Sequence, residues 1–148
     1  MNTLQVSSII KLDKRTSKIY LGTFAFDKLP TIVNYPSCLI VNTQKSNQLG
    51  EHWLAIYYSK NKSCYFFDSM GLPPTFYKLE QYIKSTSKSY THNKKQLQGI
   101  FSQYCGYYCI NFLLIKSRNI GMKHFYEFFN NTPKENDQLI KRLIDDSI

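Results

Sequence analysis

Residues 97–117 read LQGIFSQYCGYYCINFLLIKS. From Cys105 to Ser117 this stretch is apolar almost all round, free of Pro and long enough for three helical turns, which predicts a buried central helix. A helix without a polar face needs cover on every side, so the rest of the chain must supply layers around it. Cys105 opens that helix. A thiol attacks a carbonyl only as thiolate, and a helix N-terminus is one of the features that favours the anion.

Working outward, Ser37 to Asn42 (SCLIVN) has the composition of a buried strand, and Thr43 to Gly50 is polar enough for a loop. His52 to Tyr58 (HWLAIYY) and Ser63 to Asp68 (SCYFFD) are aromatic or β-branched runs joined by the polar connector Ser59 to Lys62, the pattern of a hairpin. Met70 to Pro74 ends the second strand, and Thr75 to Ser85 carries Phe76, Leu79, Tyr82 and Ile83 at helical spacing. Ser85 to Gln96 reads as an exposed basic loop running into a short strand near Leu97. At the N-terminal side, Leu4 to Leu12 predicts a short helix and Ile19 to Phe26 a strand. At the other end, Met122 to Phe129 and Lys134 to Asp146, with Pro133 in a first-turn position, predict helices.

Composition bounds the class. The chain has 148 residues, 43% of them apolar, with six Gly and five Pro, and no repeat or linker interrupts it. One folded domain spanning 1–148 is the expectation. No run of about 18 apolar residues occurs and the first residues lack a signal-peptide pattern, so an intracellular chain with no membrane partner is expected. Four cysteines are too few for a disulfide scaffold of this size, which opens a catalytic role for one of them. The net charge of +9 attracts polyanions, although scattered lysines also serve as a plain solvated surface.

Among three histidines, only His52 stands at the mouth of a strand beside apolar and aromatic residues; His92 and His124 lie in Lys-rich segments. His52 is therefore the candidate base for Cys105. Asp68, at the end of the paired strand, can hold the ring's tautomer and stabilise its charged form. A Gln amide with the backbone N–H of Cys105 would serve an oxyanion, and both Gln98 and Gln103 lie just upstream. Each residue also has a structural reading. Cys105 and Cys109 suit a helix core, His52 a satisfied core histidine, Asp68 a turn cap before Gly71, and Trp53 the core.

At these residues the sequence resembles the adenovirus-type maturation proteases, a family with relatives in Polinton-like elements and virophages. The segments YLGTF (Tyr20 to Phe24), LIVNT (Leu39 to Thr43), GEHWLAIYY (Gly50 to Tyr58), SCYFFDSMG (Ser63 to Gly71) and LQGIFSQYCGYYC (Leu97 to Cys109) stand in the family's order. The most specific piece is Gln98-Gly99 seven residues before Cys105-Gly106. The resemblance implies Gln98 rather than Gln103 as the oxyanion residue, Asp68 as the acidic third member, and supporting positions at Gly50, Glu51, Trp53 and Gly106. It also implies an α+β fold like a rearranged papain, with a mixed central sheet flanked by helices; no metal site is expected.

The implied activity is a cysteine endopeptidase cutting viral precursor proteins at Gly-containing sites during virion maturation. Such a protein would work in the infected cell, in the virus factory or nucleus, and be packaged in the virion as a monomer. Family members are stimulated by DNA, with Lys84, Lys88, Lys94 and Lys95 the candidate contacts, and by a peptide held through a disulfide. The matching stretch here, Thr86 to Lys88, has no cysteine, which leaves a noncovalent peptide activator. Two alternatives share many of these features: a protease deconjugating a ubiquitin-like protein, and a catalytically inactive basic binding module.

Overall fold

The apolar runs alternate in the face they bury, and that alternation builds the molecule. The computed structural model describes residues 2–44, 52–100 and 102–146. Strands β1 (Tyr20–Ala25), β2 (Ser37–Asn42), β3 (Trp53–Tyr58), β4 (Ser63–Phe67) and β5 (Ser89–His92) form one sheet in that order. The outer pairs β1/β2 and β4/β5 are parallel, and the inner pairs are antiparallel. The sheet is therefore mixed, as expected.

Strand side chains point to opposite faces in turn. Cys38 and Ile40 of β2, Trp53, Ala55 and Tyr57 of β3, and Phe67 of β4 face one core. Leu39 and Val41, Leu54, Ile56 and Tyr58, and Cys64 and Phe66 face the other. A strand buried on both sides reads as a continuous apolar run, which is why SCLIVN and WLAIYY show so little alternation.

The first core is closed by helix α4 (Cys105–Lys116), together with α1 (Thr3–Leu12), α5 (Met122–Glu127) and α6 (Pro133–Asp145). Helix α4 lies between the sheet and the outer helices, which explains its apolar circumference. Phe67 of β4 stacks on Phe112 of α4 with ring centroids 4.8 Å apart. The second core is capped by the 3₁₀ turn Pro74–Tyr77 and α3 (Glu80–Thr86).

Three expectations change. The segment 75–85 is not one helix: Lys78 adopts a left-handed conformation (φ 60°) and separates the 3₁₀ turn from α3. Periodicity alone does not register one such residue. The segment 85–96 is not all loop, since it holds β5, whose polar side chains hide an edge strand that pairs through its backbone with β4. Leu97 lies outside any strand; its N–H bonds the Ser69 carbonyl at 2.8 Å instead. A further short helix, α2 (Lys14–Ser17), follows α1, capped by the Asp13 side chain.

Candidate active site

The hairpin sets the site. Ala55 of β3 sits opposite Phe67 of β4, so the residue entering β3 and the residue leaving β4 emerge side by side. These are His52 and Asp68. Nε2 of His52 lies 2.7 Å from Oδ1 of Asp68, whose side chain is 0% exposed.

A buried carboxylate needs donors on all its lone pairs. Oδ1 also accepts from the Met70 N–H at 3.0 Å, while Oδ2 accepts from the Leu72 N–H at 3.2 Å and the Tyr77 hydroxyl at 2.6 Å. Asp68 is thus both the turn cap before Gly71 and the partner of His52. The Tyr77 ring stacks on the imidazole, with centroids 6.0 Å apart. The backbone of Asp68 is held in turn by buried Asn93, whose Oδ1 accepts from the Asp68 N–H at 2.9 Å and whose Nδ2 donates to the Asp68 carbonyl.

Cys105 opens α4, and its side chain lies close enough to the His52 ring to help raise the ring's pKa. Because Nε2 is committed to Asp68, Nδ1 is the nitrogen left for the sulfur. One turn on, Cys109 Sγ donates to the Trp53 carbonyl at 3.3 Å and so pins the start of α4 to the residue after His52. Burial pulls the His52 pKa down. The hydrogen bonds to Asp68 and Cys105 and the charges of both outweigh it, and the pKa is raised to about 9. At neutral pH the ring is therefore an imidazolium beside the residue that opens α4. Burial pushes the thiols of Cys38, Cys64 and Cys109 upward.

Gln98 is buried and its amide is fixed at both ends. Oε1 accepts from the Ser69 hydroxyl, and Nε2 donates to the Ser102 carbonyl at 2.8 Å, leaving its second N–H unassigned among the described residues. Gln103 is exposed. Ser69 also receives the N–H groups of Leu97 and Gln98 on its carbonyl. Two consecutive residues, Asp68 and Ser69, therefore hold the imidazole and the glutamine respectively. Helix α6 braces the same loop. Asp137 accepts from Tyr108 at 2.7 Å and from the Gly99 N–H at 3.3 Å, and Asn136 donates to the Leu97 carbonyl at 3.2 Å. The α4 terminus has no side-chain cap, so its first N–H groups are open to an acceptor.

Of the supporting positions, Trp53 is buried core and Gly106 lies buried in the first turn of α4. Gly50 and Glu51 lie outside the described residues. Lys84, Lys88, Lys94 and Lys95 are all exposed, and Lys84 is paired with Glu80 at 2.8 Å. Sequence reading missed Ser69, Tyr77, Asn93 and Asp137. Only Asp137 left a signal, as an acid on the same stripe of α6 as buried Ile140 and Ile144.

Among solved structures, the chain superposes on the ASFV pS273R protease with a TM-score of 0.63 at 12% identity, covering 94% of this chain and 65% of that one. It also matches the central domain of the Legionella pneumophila protein Lpg1148, with a TM-score of 0.54 at 13% identity, over 100% of this chain and 98% of that one. These likenesses establish a shared fold. In sequence, the protease of human adenovirus A serotype 12 is 29% identical over 126 residues, 74% of this chain. The chain spans 60% of that relative's length. The family model described as adenovirus endoprotease matches residues 20–141, a span that contains the hairpin, the Gln98 loop, α4 and most of α6. With the match running through every element that builds the site, the chain belongs to the adenovirus endoprotease family.

Proposed function

We propose that this chain is a cysteine endopeptidase with Cys105 as nucleophile and His52 as its base and acid. Asp68 orients the ring, and Gln98 with the Cys105 N–H receives the oxyanion. The carrying observation is the 2.7 Å bond from Nε2 of His52 to the buried Asp68, on a ring whose pKa the neighbouring Cys105 helps to raise. The thiolate of Cys105 adds to the scissile carbonyl. Charge develops on the carbonyl oxygen, where preorganised donors matter most. His52 passes its proton from Nδ1 to the leaving amine, and the acyl thioester remains on Cys105. The neutral ring then takes a proton from water as it attacks the thioester; the acid departs, and the Cys105 thiolate and the imidazolium are restored.

Family membership supports viral precursor proteins as substrates, with cleavage at Gly-containing sites during virion maturation and a setting in the infected cell and virion. No helix among the described residues is long and apolar enough to cross a membrane. The outer edge of β5, the last strand of the sheet, supports a noncovalent peptide activator that would add a strand. The charge of +9 supports DNA as a second activator.

The test is mass spectrometry of virion precursor proteins coexpressed with the wild-type chain and with Cys105→Ala. New termini at Gly-containing sites, present only with wild type, are expected. Intact precursors together with cleavage of a ubiquitin-like conjugate would replace this reading with deconjugation. No processing of either would leave a binding module.

A further inference from the structure

A second polar feature lies at the far end of α4. Lys116 is only 6% exposed, rare for a lysine. It stands eleven residues beyond Cys105, roughly 16 Å along the helix axis. Its Nζ sits 3.8 Å from the centroid of the Tyr65 ring and 5.6 Å from that of Tyr57. Its hydrogen bond to the Ile120 carbonyl is long, at 3.5 Å. An ammonium has three donors, so two have no partner among the described residues. Among the described residues no carboxylate is seen paired with Lys116. The tyrosine faces offset part of the desolvation cost, yet burial still pulls the Lys116 pKa down. Among the described residues the charge lacks an anion.

It also borders a cavity of about 370 Å³, whose other walls include Tyr65, His92, Asn93, Met122 and Tyr126. That size is within the range of small-molecule sites. The walls are mainly aromatic and apolar. Asn93 offers a ligand little, because its amide is spent on the backbone of Asp68 and on the Lys95 carbonyl. A phosphate dianion would need more donors than one ammonium provides, whereas a single carboxylate needs about what Lys116 has free.

We propose that this cavity binds a carboxylate carried on an apolar or aromatic body, with Lys116 as counter-ion and Tyr65, Met122 and Tyr126 packing the body. The carboxylate could belong to a free small acid or to a peptide C-terminus. This site goes beyond the protease reading and is independent of it, so it is tested by binding rather than by activity.

The experiment titrates the intact chain, followed by NMR and calorimetry, with 3-phenylpropionate, its amide, and the tripeptide Ala-Ala-Leu with a free or an amidated C-terminus. The free acids are expected to bind at least about tenfold more tightly than the amides, shifting resonances of Tyr65 and Tyr126. Tighter binding of the free tripeptide than of 3-phenylpropionate assigns the peptide source, and the reverse order assigns a small acid. Lys116→Met keeps the apolar stem and removes a buried charge, so it should fold and lose the preference for acid over amide. Tyr65→Leu should weaken every probe. Equal binding of acids and amides, unchanged preference in Lys116→Met, or no saturation by any probe overturns the proposal.

Discussion

The hydroxyl of Tyr77 donates to Oδ2 of Asp68 at 2.6 Å, on the carboxylate whose Oδ1 meets His52. The 3₁₀ turn that carries Tyr77 thus finishes the solvation of the acid and lays an aromatic ring beside the imidazole. Tyr77→Phe keeps the ring and removes the donor. A hydrogen bond to a charged group contributes about 1.5–3 kcal/mol, so kcat/KM of peptide cleavage should fall about tenfold or more, with KM little changed. Steady-state kinetics on a Gly-containing peptide checks this; an unchanged kcat would show that Asp68 does not depend on Tyr77.

The raised pKa of His52 makes a stability claim. Folded, the ring keeps its proton up to about pH 9, whereas its ordinary value is 6.5. Between these values the folded state holds more protons than the unfolded one, so stability falls as pH rises. Urea unfolding at a series of pH values should show that decline in wild type and a flatter profile in His52→Gln. A difference between the two proteins that stays constant or grows with pH across the window would refute the ion-paired ring.

Asp137 reaches from α6 to the loop of Gln98. Asp137→Ala would leave the buried Tyr108 hydroxyl only its 3.3 Å bond to the Leu97 carbonyl and free the Gly99 N–H, costing about 1–3 kcal/mol of stability. Asp137→Asn keeps an acceptor and should cost less. If Asp137 positions the loop, Asp137→Asn should lower kcat while leaving KM near wild type. A loss of stability with unchanged kcat would make its role structural only.

Charge gives a weaker but separate expectation. Replacing Lys84, Lys88, Lys94 and Lys95 together by Ala should weaken DNA binding and reduce its salt dependence. Lys84 already has Glu80 as a partner, so the single Lys84→Ala change should do least. Salt-dependent binding assays on duplex DNA decide it, and an unaltered affinity in the quadruple variant would clear these lysines of the role.

Much of this architecture can be read from residue types. The runs SCLIVN and WLAIYY are apolar without pause because both faces of β2 and β3 are covered, and CGYYCINFLLIK is apolar all round because α4 sits between layers. The hairpin made the meeting of His52 and Asp68 foreseeable. What stayed hidden depends on backbone pairing or single conformations. β5 is polar and pairs only through its main chain, and Lys78 breaks a helical pattern by one left-handed residue. Ser69 and Asn93 act through hydrogen bonds that no periodicity encodes.

The protease reading requires that His52 activate one of the four thiols. Iodoacetamide labelling near pH 6, read by peptide mapping, tests it most directly. Cys105, 9% exposed, should be alkylated alone, since Cys38, Cys64 and Cys109 are at most 1% exposed and burial pushes their thiols upward. In His52→Ala the rate at Cys105 should drop by about a hundredfold, as expected when an imidazolium partner is removed. Equal rates at Cys105 in both proteins, or labelling of the other three alongside it, would rule out activation of Cys105 by His52.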